Sequence, residues 1–119
     1  DHNPWFELGK ELLFKTGNEE TEGYIVSVNV GEVYYMICRK LNVTAAEAAI
    51  TAIRQWPLVI VDADLKLCME AAAIKAKHSL SYADAFAAAL TIHKKATLIT
   101  GDKEFESLAG VANFKVKYL

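Results

Sequence analysis

Three acidic residues stand where apolar runs give way to helical sequence. Glu32 follows YIVSVNVG, Asp84 lies inside SYADAFAAAL, and Asp102 comes directly after TLITG. Carboxylates gathered from such distant stretches repel one another unless a cation sits among them. An all-oxygen donor set suits Mg2+ or Mn2+, and such an ion acts as a Lewis acid and acidifies bound water. Each residue also has a plainer reading. Glu32 would sit in a first helical turn, Asp84 completes an S-x-x-D box with Ser81, and Asp102 is a good N-cap. The chemical reading gains weight because all three map to one edge of the sheet that the sequence predicts.

That sheet follows from the pattern of elements. If the runs at 24–30 and 97–100 are parallel strands, Glu32 and Asp102 lie just past their carboxyl ends, where open α/β sheets form a ligand crevice. Asp84 joins them from the first turn of the helix that precedes the second strand. Asn3 and Pro4 read as an N-cap and first helical residue, opening a helix to about Lys15 that stops at Gly17. A polar loop leads to the strand at 24–30, and a helix follows whose buried stripe is Val33, Ile37 and Leu41. Thr44 caps the next helix with Glu47 at its third position, and Pro57 enforces the stop. A short strand in PLVIVDAD runs into an Asp64 cap and a helix ending at His78. Ser81 caps the following helix, 97–100 is a strand, Asp102 caps a brief helix closed by Gly110, and NFKVKYL is a last strand. This alternation predicts a three-layer α/β/α sandwich around a mostly parallel sheet.

Composition bounds the function. The 119 residues make one domain, and 53% hydrophobic content, much of it helical alanine, is enough for a core. No apolar run approaches the ~20 residues that span a bilayer, and no signal peptide opens the chain, so a cytoplasmic protein is expected. Cys38 and Cys68 lack metal-ligand spacing and read as buried free thiols. A net charge of −2 excludes a broad basic nucleic-acid face but permits brief contact with phosphates. Arg39 with Lys40 and Lys94 with Lys95 read first as solvated helix ends. His78 and His93 fall near helix C-termini, where an imidazolium is simply favourable. Asp62 and Asp64 follow a strand, and capping accounts for them. No nucleophile elbow and no glycine-rich phosphate loop occurs, which removes triad and P-loop chemistry.

The segments VNVGEVYYMICRK and LSYADAFAAALTIHKKATLITGDKEFESL resemble the PIN-domain ribonucleases, most closely the VapC-type toxins of toxin–antitoxin pairs. ADAFAAA, then a hydrophobic strand, then TGDKEF at this spacing is close to a signature. The resemblance covers residues 1 to about 115. It implies a PIN-like fold and a metal-dependent endoribonuclease in which Glu32, Asp84 and Asp102 bind Mg2+ or Mn2+ and carry the catalysis. Thr100 matches a position lining the same pocket, and Lys103 and Arg39 are candidates to steer the RNA backbone.

The family begins with a hydrophobic strand ending in an aspartate, the remaining metal ligand. No such strand precedes Asp1, so residues 1–119 are expected to form a single PIN-like domain without its first strand. The resemblance further implies an antitoxin partner and a homodimer, with Trp5, Phe6 and Trp56 as candidate anchors. The rival reading is a non-catalytic PIN-like protein-binding module; a metal-dependent phosphatase on a doubly wound sheet is the third.

Overall fold

Consecutive residues of one strand face two different cores. Ile25, fully buried, packs with Val33, Ile37, Ala46, Ala49 and Ile53, whereas Tyr24 and Val26 pack with Leu67, Ala71, Leu90 and Leu98. A strand covered on both faces must place alternate side chains in opposite layers, which is why this stretch is continuously apolar. The computed structural model describes residues 12–16 and 21–119, with side-chain environments from residue 23.

Five strands make one sheet: β1 (Leu12–Thr16), β2 (Thr21–Val26), β3 (Leu58–Val61), β4 (Thr97–Thr100) and β5 (Lys115–Tyr118), in the order β3-β2-β1-β4-β5. β2 pairs parallel with β3 and β4 with β5, while β1 runs antiparallel to both β2 and β4. The four strands other than β1 therefore share one direction, and their carboxyl ends share one edge. Helices α1 (Ser27–Lys40) and α2 (Val43–Gln55) cover one face; α3 (Leu65–Lys77) and α4 (Tyr82–Lys94) cover the other. A 3-10 helix (Lys103–Leu108) follows β4. The sandwich is the expected one, and among the described residues no helix is long and apolar enough to cross a membrane.

Alanine explains the middle of the molecule. Ala85, Ala87, Ala88 and Ala89 are all buried in α4, which is closed in on nearly every side. Small side chains let α3, the sheet and the 3-10 helix approach it closely, and Thr91 satisfies its hydroxyl by bonding back to the Ala87 carbonyl at 2.8 Å. Each fully buried Ile or Leu around it contributes roughly 1.5–3 kcal/mol.

Several local expectations are corrected. The helix expected to about Lys15 is instead strand over Leu12–Thr16, because ladder partners on both sides supply the backbone bonds; residues 1–11 and 17–20, including Trp5 and Phe6, lie outside the described residues. The strand expected at 24–30 ends at Val26, and α1 begins at Ser27. Val28 and Val30 favour a strand locally, but a helix from Ser27 buries Asn29, Val33 and Ile37 along one stripe. Leu41 is therefore not part of that stripe: it is the C-cap and 49% exposed. α2 is capped not by Thr44 but by Asn42, whose side chain accepts from the Ala45 N–H at 2.7 Å. Trp56 is half-buried against the core of α1 and α2, as an intramolecular residue would be. Cys38 and Cys68 are free and half-buried.

Candidate metal centre

Local capping chemistry builds the site. Ser81 caps α4, its Oγ accepting from the Asp84 N–H at 3.1 Å, so Asp84 is held in the first turn as a residue only 3% exposed. Past β4, the Asp102 N–H donates to Thr100 Oγ1 at 3.0 Å, and Asp102 Oδ1 accepts from the Glu104 N–H at 2.8 Å. Glu104 then reaches across the chain: its Oε1 accepts from the Ser81 N–H at 3.1 Å. Each turn is closed by its own local bonds, and the Ser81 to Glu104 hydrogen bond ties the two turns together.

The consequence is electrostatic. Asp84, Asp102 and Glu104 each offer a carboxylate oxygen, all within 4.8 Å of one another. Two unit charges at that distance repel by about 1 kcal/mol in bulk water and about 3.5 kcal/mol at an effective dielectric of ~20. With Asp84 buried, Asp102 half-buried and Glu104 exposed, the real value lies between these limits. An N-cap contributes about 0.5–2 kcal/mol, comparable with the repulsion, so capping alone is a weak reason to assemble three carboxylates. A carboxylate has more acceptor sites than the single bond Asp102 and Glu104 each accept here, and the all-oxygen set of the three fits Mg2+ or Mn2+. The same negative field reaches Tyr118, whose hydroxyl pKa is raised by burial first and then by the charges of Glu106 and Asp102.

A cleft of about 430 Å³ opens over this cluster, lined by Glu32, Asp84, Asp102 and Glu104 together with Tyr35, Met36, Arg39 and Lys40. Glu32 arrives from α1. It is in the second turn rather than the first, since the helix starts five residues earlier, yet that helix leaves the carboxyl end of β2 directly and still delivers Glu32 to the cleft. Arg39 and Lys40, in the last turn of α1, bring positive charge to the same cleft, and Arg39 stacks on the Tyr35 ring with its guanidinium carbon 5.3 Å from the centroid. Acidic and basic groups thus share one cleft.

Other candidates stand elsewhere. Thr100 is fully buried and shapes the turn before Asp102, and Lys103 is exposed on the 3-10 helix; neither lines the cleft. Asp64 caps α3, accepting from the Leu67 N–H at 2.9 Å. His78 Nδ1 lies 3.1 Å from the Ser107 carbonyl, and His93 pairs with Glu70 at 3.9 Å, both away from the cleft. Sequence reasoning passed over Glu104. Its one signal is its place two residues past Asp102 in TGDKEF, where an acidic residue reads simply as first-turn dipole chemistry.

With this geometry in hand, the comparisons with known proteins are specific. The family model described as PIN domain matches residues 10–111. The fold is similar to a chain in the crystal structure of VapBC2 from Rickettsia felis bound to a DNA fragment from their promoter. The TM-score is 0.62 at 17% identity, over 80% of this chain and 73% of that one. No curated protein matches significantly.

Proposed function

This chain belongs to the PIN domain family, and on that premise we propose that it is a Mg2+- or Mn2+-dependent endoribonuclease and the toxin of a VapBC-type toxin–antitoxin pair. The observation that carries the proposal is the convergence of Asp84, Asp102 and Glu104 within 4.8 Å, in a cleft that Glu32 also lines. A divalent cation bound there supplies Lewis-acid polarisation of the phosphodiester and an acidified water. The chain's own residues do the rest. Asp84, buried and fixed by Ser81, provides a rigid anionic floor; Asp102 and Glu104 complete it from the turn after β4. Glu32 adds a carboxylate from α1. Arg39 and Lys40 draw the phosphate backbone into an otherwise acidic cleft, and the exposed Tyr35 offers a ring to an unpaired base. Neither His78 nor His93 faces the cleft, so proton transfer falls to water and the carboxylates.

The partner assignments belong to the same proposal: an RNA substrate, a cognate antitoxin covering the cleft, a homodimer, and action in the cytoplasm. The solved relative supports the antitoxin, since it is itself a VapBC complex. The decisive experiment incubates the purified chain with single-stranded RNA in Mg2+ or Mn2+, with EDTA and Asp84→Asn as controls. Cleavage that needs the metal and Asp84 supports the enzyme. Partner binding without any cleavage would leave a non-catalytic module.

A further inference from the structure

Asn29 is fully buried, yet it does not line the cleft. It occupies the third position of α1, on the stripe it shares with Val33 and Ile37, where an aliphatic residue would fill the same layer. Its Nδ2 donates to the Ala83 carbonyl at 3.1 Å, across 54 residues of sequence. Its Oδ1 has no hydrogen-bond partner among the described residues. A buried amide satisfied at one end alone is a poor device for stability, because the unpaired acceptor carries its full desolvation cost.

It is a good device for register. The Ala83 carbonyl belongs to the peptide bond that leads directly into Asp84, and Asn29 lies one helical turn before Glu32 on α1. The bond therefore joins the two helices next to the two carboxylates that they carry. α1 packs mainly in one apolar cluster and α4 in the other, and where the two helices meet Val28 of α1 joins the cluster of α4. Apolar packing is non-directional and fixes a helix by shape and area, whereas a hydrogen bond also fixes direction.

We propose that Asn29 is a positioning residue: by tying α1 to the peptide before Asp84, it sets the placement of Glu32 relative to Asp84 and so the affinity of the cleft for a divalent cation. The inference rests on the reading of the cleft as a cation site. Groups that orient metal ligands from behind typically change affinity by about 10- to 100-fold when removed.

The test measures Mn2+ binding by electron paramagnetic resonance, and thermal melting in EDTA, on the full chain and on Asn29→Leu. The leucine keeps the branched shape and removes both the tether and the unpaired oxygen. Expected is a melting temperature equal to or above the wild type, together with an Mn2+ dissociation constant raised about tenfold or more. If Asn29→Leu does not fold, Asn29→Ala replaces it in the same titration, well below its own melting temperature. Lost packing alone lowers that temperature without altering the affinity of molecules that remain folded. Wild-type affinity in the folded variant would overturn the inference while leaving the cation site intact. A wild-type chain that binds no Mn2+ would overturn both.

Discussion

The N–H of Ser81 donates to Glu104 Oε1 at 3.1 Å, joining the cap of α4 to the turn that follows β4. Ser81 is also the residue whose hydroxyl holds the Asp84 N–H, so Glu104 and Asp84 are linked through a single residue. Two acidic residues twenty apart in sequence are thereby brought into one carboxylate cluster through the residue that caps a helix.

Asp84→Asn is expected to abolish metal-dependent RNA cleavage, by about a hundredfold or more, while retaining the fold. The amide keeps the shape and can still sit in the first turn, losing about 0.3–1 kcal/mol of dipole interaction but also removing repulsion from Asp102 and Glu104. A melting temperature within a few degrees of wild type, beside lost turnover, is the predicted pair of results. Undiminished cleavage by this variant would refute the role.

Glu104→Gln and Glu104→Ala separate capping from cation binding. The glutamine retains an oxygen that can accept from Ser81, so its stability should stay close to wild type while divalent affinity falls. The alanine loses the bond as well, and a further loss of about 0.5–1.5 kcal/mol is expected in denaturant titration. Equal Mn2+ affinity in all three proteins would remove Glu104 from the ligand set.

Divalent cation should stabilise the folded chain by mass action. At a free concentration about a hundredfold above the dissociation constant, the gain is about 2.7 kcal/mol, read as a rise of several degrees in melting temperature that EDTA reverses. Asp84→Asn should show little of this rise. An identical rise in that variant would place the bound ion elsewhere.

Arg39→Ala is expected to weaken binding of single-stranded RNA without affecting Mn2+ binding. Each phosphate contact with a single strand adds about 0.7 to the slope of log affinity against log salt, so losing one should flatten the slope by roughly that amount. The lost charge would also release Tyr35, the ring on which Arg39 stacks. A slope unchanged from wild type would mean that Arg39 does not touch the backbone.

Phe105→Ala probes the core behind the turn that carries Asp102 and Glu104. Phe105 is 1% exposed, packs against Phe114 with ring centroids 6.2 Å apart, and sits directly after Glu104. Truncating such a residue typically costs about 3–5 kcal/mol. Urea unfolding should show that loss; a cost below about 1 kcal/mol would mean the surrounding core collapses to fill the space.

What the sequence determined by itself is whatever depends on neighbours in the chain. The caps at Asp64, Ser81 and Asp102 are local hydrogen bonds between a side chain and a backbone N–H two or three residues on, and each forms where the sequence places it. The strands at Leu58–Val61, Thr97–Thr100 and Lys115–Tyr118 were likewise legible as short apolar or alternating runs between turn signals. Tertiary structure decided the rest. Leu12–Thr16 is strand because β2 and β4 flank it, and no property of LLFKT reports those partners. α1 starts at Ser27 because the core accepts Asn29, Val33 and Ile37 on one face, overriding the strand preference of Val28 and Val30. Glu104 joins Asp84 because a bond to Ser81 closes the gap between two loops, a proximity that a separation of 23 positions in sequence does not encode. Short-range chemistry writes itself into residue types; long-range juxtaposition depends on packing, which many sequences satisfy equally well.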